Sequence, residues 1–231
     1  MVPILAARGW AIFRGGRFSA HPMDIVPQQL PYREFYRILL SAVAPRPIAW
    51  VSTISSEGRP NLAPFSFFNV VSAQPPLLGF SPALRRLEQG HVSKDTLRNI
   101  RETGEFAINI VTFAVAEAMN LTSGEYEPSV NEFELAQLTT RPSHRVRPPQ
   151  VAESPVSFEC QLYQIMDFGT EAPSGSFVIG EVVAVHVNDD VLKAGRLDPG
   201  SLDLVGRMSG AQYCRTTERF TLDRPKLEGK T

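Results

Sequence analysis

The chain has 231 residues, 43% of them hydrophobic and 20% charged, which suffices to bury the core of an ordinary globular domain. A formal net charge of -1 leaves no basic excess to neutralise many phosphates, which argues against nucleic acid as a general partner, so any phosphate recognition is local. No apolar run approaches the roughly 18 residues that cross a bilayer, and Cys160 and Cys214 form neither a CxxC pair nor a disulfide framework, which fits a reducing cytoplasm and no membrane partner.

Residues 1–22 carry Arg8, Arg14 and Arg17 with no acid before Asp24, and Met23 opens what reads as the domain proper. A flexible N-terminal extension is expected over 1–22, with a transit-type segment as the alternative. Pro31 followed by Tyr32, Phe35, Tyr36 and Leu39 predicts a short amphipathic helix over 31–40. The β-branched and aromatic run 47–54, the Ser55-Ser56-Glu57-Gly58 turn and the run 60–64 predict a hairpin. Strands are expected at 66–72 and 77–81, separated by Gln74-Pro75-Pro76.

From Ser93 the pattern becomes helical, with Ser93 or Asp95 able to cap, Leu97 and Ile100 on one face and Gly104 as a stop. A strand follows at 105–111, then short helices over 114–121 and 131–138. The proline-rich, basic stretch 140–155 reads as a long loop of the kind that is functional or packed over a partner. The strongest strand signals are 157–166 and 176–187, joined by a Gly, Pro and Ser stretch at 169–175, and the segment 204–222 ends in a strand-like Arg219-Phe220-Thr221-Leu222. No repeat or composition break divides 23–231. The order lacks regular strand–helix alternation, so a mainly β, antiparallel barrel with short peripheral α-helices is the simplest way to remove exposed strand edges.

Three stretches carry the functional signal: Pro45-Arg46-Pro47-Ile48-Ala49-Trp50-Val51-Ser52-Thr53, Asn61-Leu62-Ala63-Pro64-Phe65-Ser66-Phe67-Phe68-Asn69, and Lys94-Asp95-Thr96-Leu97-Arg98-Asn99-Ile100. Together they resemble the FMN-binding split-barrel family of flavin reductase-like proteins, flavoredoxin-type members included. The resemblance runs from about Leu30 to Pro225 and takes in Asn131-Glu132-Phe133, Glu153-Ser154-Pro155-Val156 and Arg207-Met208-Ser209-Gly210. It implies a split, Greek-key-like β-barrel holding flavin mononucleotide (FMN).

A ribityl phosphate carries close to two negative charges and needs cations, neutral donors and, for preference, a helix N-terminus. Arg46 and Lys94 are the candidate cations, and Ser52, Thr53 and Thr96 the candidate hydroxyls; the competing reading makes them solvated charges and turn or cap residues. A planar ring needs a flat apolar wall and donors at its edge, and a proline-bent strand offers both. The resemblance sets Ala63, Ser66 and Phe67 against that ring, with Asn61 and Asn69 as polar neighbours, while Phe65, Phe68 and Trp50 fit the core better. Asp95 reads as a helix cap or as a partner orienting Lys94. Arg207, with Ser209, Gly210 and Tyr213, either closes over the flavin or forms a salt-bridged barrel end. His91 is the one histidine with a plausible site location, and no spacing suggests a metal.

With the redox chemistry residing in a bound ring, the lack of a catalytic triad is no objection. The resemblance implies an FMN-dependent oxidoreductase with NAD(P)H as hydride donor and flavin or a downstream protein as acceptor, acting as a homodimer that the 140–155 loop could serve. The alternatives are an electron carrier like flavoredoxin, reduced by a partner protein, and a flavin-binding module without turnover.

Overall fold

The computed structural model describes residues 24–87 and 90–225. The extension expected over 1–22 lies outside them, as does the His91 side chain. Seven antiparallel strands form the framework: β1 (Ala49–Ile54), β2 (Pro60–Phe65), β3 (Phe68–Ser72), β4 (Leu77–Phe80), β5 (Glu105–Ile110), β6 (Val156–Asp167) and β7 (Ser176–Val187). Their order in the sheet is β2-β1-β5-β6-β7-β4-β3. The two edge strands are consecutive in the chain and separated by only Ser66 and Phe67, so the sheet must curl until its edges meet at that turn. They meet without a hydrogen-bonded ladder, which is what makes the barrel split.

The hairpin read at 47–64 forms as expected: Ala49 pairs with Phe65 and Ile54 with Pro60, across a turn where the Gly58 amide donates to the Ser55 carbonyl at 3.0 Å. Gly58 sits at φ 85°, a conformation that a β-carbon would strain. β1 is buried on both faces, which explains its unbroken apolar run. Ala49 and Val51 join the barrel interior with Phe65, Phe80, Phe106 and Ile108, whereas Ile48 and Trp50 face a second cluster with Val115, Met119 and Phe133. Trp50 is fully buried and donates through Nε1 to Thr122 Oγ1 at 2.9 Å, so it is a core residue and not a ring stack.

Helix α1 (Tyr32–Ala42) leads into the barrel, and α2 (Asp95–Thr103) lays Leu97 and Ile100 into the interior cluster. The α2 helix stops at Gly104, whose φ of 70° is the left-handed cap anticipated from the sequence. Its start differs from expectation: Lys94 is the N-cap residue, no side chain caps the helix, and Asp95 instead pairs with Arg98 at 2.5 Å. Helices α3 (Ala116–Leu121) and α4 (Glu132–Leu135) are shorter than expected, and the latter is capped by Asn131, whose side chain accepts from the Phe133 amide.

Two further corrections concern the chain's loops. The stretch 140–155 is not structureless, since Thr140–Arg141 pairs with Gln150–Val151 and the buried Glu159 carboxylate gathers the amides of His144 (2.9 Å), Arg145 (2.5 Å) and Val146 (3.3 Å) beneath it. The strand expected at 219–222 does not form; Phe220 is 87% exposed. The pairing near that end is instead β8 (Val205–Arg207) with β9 (Tyr213–Arg215). Strand-forming residues that pair with no neighbouring strand leave their amides to water.

Candidate functional site

Strand β2 organises the site, because its two ends meet different parts of the fold. At its start, Asn61 donates through Nδ2 to Thr96 Oγ1 at 3.0 Å and to Thr53 Oγ1 at 3.4 Å, and Asn99 donates to the same Thr53 oxygen at 3.0 Å. These four residues are all buried and lock the first turn of α2 onto the β1–β2 hairpin. Thr96 thus uses its oxygen as an acceptor toward Asn61. Its hydroxyl proton remains to be donated.

Ala63, Pro64, Lys94, Asp95 and Thr96 line a narrow cleft with Thr122, Ser123, Gly124 and Glu132; it encloses about 10 Å³, so a phosphate would sit at its mouth. The uncapped first turn of α2 leaves its leading amides pointing outward with the positive end of the helix dipole. Lys94 places its Nζ 5.3 Å from the centre of the Phe65 ring. Asp95 is neutralised by Arg98, which limits its repulsion toward an anion. The Glu132 carboxylate accepts the Leu62 amide at 3.1 Å and so pins β2 from the far side.

The other end of β2 turns through half-buried Ser66 and exposed Phe67 toward α1. Arg46 reaches this turn and is only 6% exposed. Its Nη1 donates to the carbonyls of Leu40 (2.9 Å) and Val43 (2.6 Å), its Nη2 to Met208 O (2.9 Å) and its Nε to Ser66 Oγ (3.4 Å). Arg207 lies close by, paired with Arg46 through the backbone; it stacks 4.5 Å over Tyr213 and donates to Gly210 O at 2.6 Å. No ion pair of Arg207 is seen among the described residues, so the salt-bridged barrel end is not its arrangement.

The expected residues therefore divide into two groups. Thr53, Asn61, Ala63, Lys94 and Thr96 gather around the α2 end, and Arg46, Ser66, Phe67, Asn69 and Arg207 around the α1 end. Ser52 belongs to neither: it is fully buried and its hydroxyl donates to the Pro149 carbonyl, which makes it an anchor for the 140–155 loop and not a phosphate donor. Arg46 shares no cleft with Lys94, because its guanidinium is engaged with α1. Thr122, Ser123, Gly124 and Glu132 were missed as lining residues. Glu132 lay within a stretch that carried the resemblance, but an acidic residue gives no sign of facing an anion site. No group of three or more His, Cys, Asp or Glu among the described residues is placed to hold a metal.

The family model described as "Flavin reductase like domain" matches residues 41–204. An uncharacterized protein of Halalkalibacterium halodurans is 42% identical over 207 residues, covering 89% of this chain and 98% of that protein. Among solved structures, the chain is similar to nitrilotriacetate monooxygenase component B from Bacillus cereus (33% identity, TM-score 0.82, 88% of this chain and 100% of that one). It is also similar to the 2-nitrobenzoate 2-nitroreductase NbaA of Pseudomonas fluorescens (32% identity, TM-score 0.78, 90% and 99%).

Proposed function

The chain belongs to the flavin reductase-like domain family, and from that premise we propose that it is an FMN-dependent oxidoreductase that takes hydride from NAD(P)H and delivers it to flavin or a downstream acceptor. The observation that carries the reading is the uncapped start of α2, where Lys94, Thr96 and the leading helix amides converge at the mouth of a cleft floored by β2. That set of donors suits a phosphate: one cation, one hydroxyl whose proton is unassigned, and a helix N-terminus. From Asn61 to Phe65, β2 extends roughly 14 Å at the usual rise per residue, and Ser66 follows it into the turn. An extended flavin nucleotide can follow it, with its phosphate toward Thr96 and its ring toward Ala63, Ser66 and Phe67.

FMN supplies hydride and single-electron chemistry when bound, which no side chain here provides. The protein's own residues have simpler tasks. Lys94 and Thr96 hold the phosphate, Asn61 fixes the Thr96 hydroxyl so that its proton points away from β2, and Glu132 keeps the strand in place. The apolar wall of Ala63 and Phe67 excludes water from one side of the ring.

Homodimer formation and a cytoplasmic location are part of the same proposal. Exposed Val70, Tyr163, Met166 and Phe168 offer apolar surface for such a pairing, and both cysteines are free thiols. A strict monomer by light scattering would remove the dimer. Among the described residues no helix is long and apolar enough to cross a membrane. The reductase reading is tested by rapid mixing of the FMN-loaded protein with NADH and with NADPH under anaerobic conditions. Flavin bleaching within catalytic times by at least one of them is expected. Slow reduction by both would replace the reductase by an electron carrier served by a partner protein.

A further inference from the structure

Arg46 is a buried cation that meets no carboxylate among the described residues, only carbonyls at the end of α1 and of Met208 and the Ser66 hydroxyl. It forms no ion pair among the described residues, and the ionisable groups that act on it are Tyr36 and Arg207, of which the second repels it. Burial lowers its pKa from the ordinary range, and Arg207 acts in the same direction. A guanidinium carries five N–H groups, and the four hydrogen bonds it makes, all to neutral acceptors, leave one on Nη2 unassigned. The carbonyls at the end of α1 compensate that charge only in part, so an anion reaching the remaining N–H is favoured.

The space beside it has a definite shape. A recess of about 390 Å³ is lined by Leu39 and Leu40 of α1 and Val43 just after it, by Pro45 and Pro47, and by Phe67 and Phe68, with Arg46, Ser66 and Asn69 as its polar groups. Asn69 spends its Oδ1 on the Val70 amide, which leaves its Nδ2 as a donor, and Ser66 accepts from Arg46 with its own proton to give. Three donors and one charge match the two oxygens of a carboxylate. They fall short of a phosphate dianion, which the α2 end is better equipped to hold. The volume admits one or two rings and not a whole dinucleotide.

We propose that this recess binds the carboxylate of a small planar molecule, with Arg46 as its counter-ion and the α1 and Phe67 side chains packing on its apolar faces. The recess shares the Ser66–Phe67 turn with the ring position proposed above, so the molecule would lie beside the ring; that it is the flavin's second reactant rests on that function, and the binding site itself does not.

The probe is benzoate, compared with its neutral isostere benzamide, titrated calorimetrically into the full chain with and without FMN. Benzoate should bind about tenfold or more tightly than benzamide, as a charge-assisted contact requires, and FMN should not displace it. Arg46 also holds α1 and the Met208 carbonyl, so its own replacement confuses folding with binding. Leu39→Glu, on the exposed side of α1, places a negative charge in the recess and should weaken benzoate about fivefold or more while FMN uptake holds. Equal affinity for benzoate and benzamide, no effect of Leu39→Glu, or displacement of benzoate by FMN or inorganic phosphate would overturn the assignment. Benzoate binding without any FMN uptake would sink the flavin reading and leave the recess standing; FMN uptake without benzoate binding would do the reverse.

Discussion

Lys94→Ala should weaken FMN binding by roughly 10- to 150-fold, corresponding to about 1.5–3 kcal/mol for a hydrogen bond to a charged group. The reason is geometric. Lys94 is the N-cap residue of α2 and lines the cleft mouth beside Thr96, where helix amides alone would have to neutralise the phosphate after its removal. Fluorescence titration of FMN into the two proteins reads the loss, and the wild-type affinity should fall with added salt more steeply than the variant's. Lys94 also lies over Phe65, so the melting temperature of each protein without FMN is the control. Unchanged affinity in a folded variant would move the phosphate away from α2.

A second large effect is expected beneath the 140–155 loop. Glu159 is 1% exposed, and its carboxylate accepts the amides of His144, Arg145 and Val146 together with the Gln150 side chain. Glu159→Ala leaves those donors without their acceptor, those of Val146 and Gln150 in buried positions, at a cost of about 3–5 kcal/mol. In a chain of this size that lowers the melting temperature by roughly 6–20 °C. Glu159→Gln, which keeps one acceptor oxygen, should lose less. Because the carboxylate clamps the loop backbone from below, trypsin should cut the Ala variant first after the exposed Arg145, whereas Arg147 precedes Pro148 and resists cleavage. A variant that melts within a degree or two of wild type would show that the loop is held by other contacts, such as the Ser52 hydroxyl on Pro149.

These two residues illustrate what a sequence shows and what it hides. The β1–β2 hairpin was legible because a glycine turn separates two runs of strand-forming residues, and the α2 stop because a glycine follows a helical face. Glu159 was invisible: a single acidic residue inside a strand pattern reads as a solvent-facing position, and only the fold brings the 144–146 amides over it. Arg46 is a candidate phosphate ligand by its charge alone, yet its hydrogen bonds run to the carbonyls of Leu40, Val43 and Met208, which no local pattern could indicate. The false strand at 219–222 has the right residue types, but residue type alone does not make a strand without a paired neighbour, and none of the described strands pairs with it. Thr53 and Thr96 read as phosphate hydroxyls and Asn61 as a polar neighbour of the ring; that Asn61 joins both hydroxyls as their donor has no signal in the sequence.

The central claim is that a flavin nucleotide lies along β2 with its phosphate at the start of α2. Equilibrium dialysis of the purified chain against FMN, followed by absorbance and mass identification of the retained chromophore, addresses it without any substitution. One FMN per chain, retained against riboflavin, which lacks the phosphate, is the predicted result. A colourless protein that takes up neither compound, or one that holds riboflavin as tightly as FMN, would contradict it.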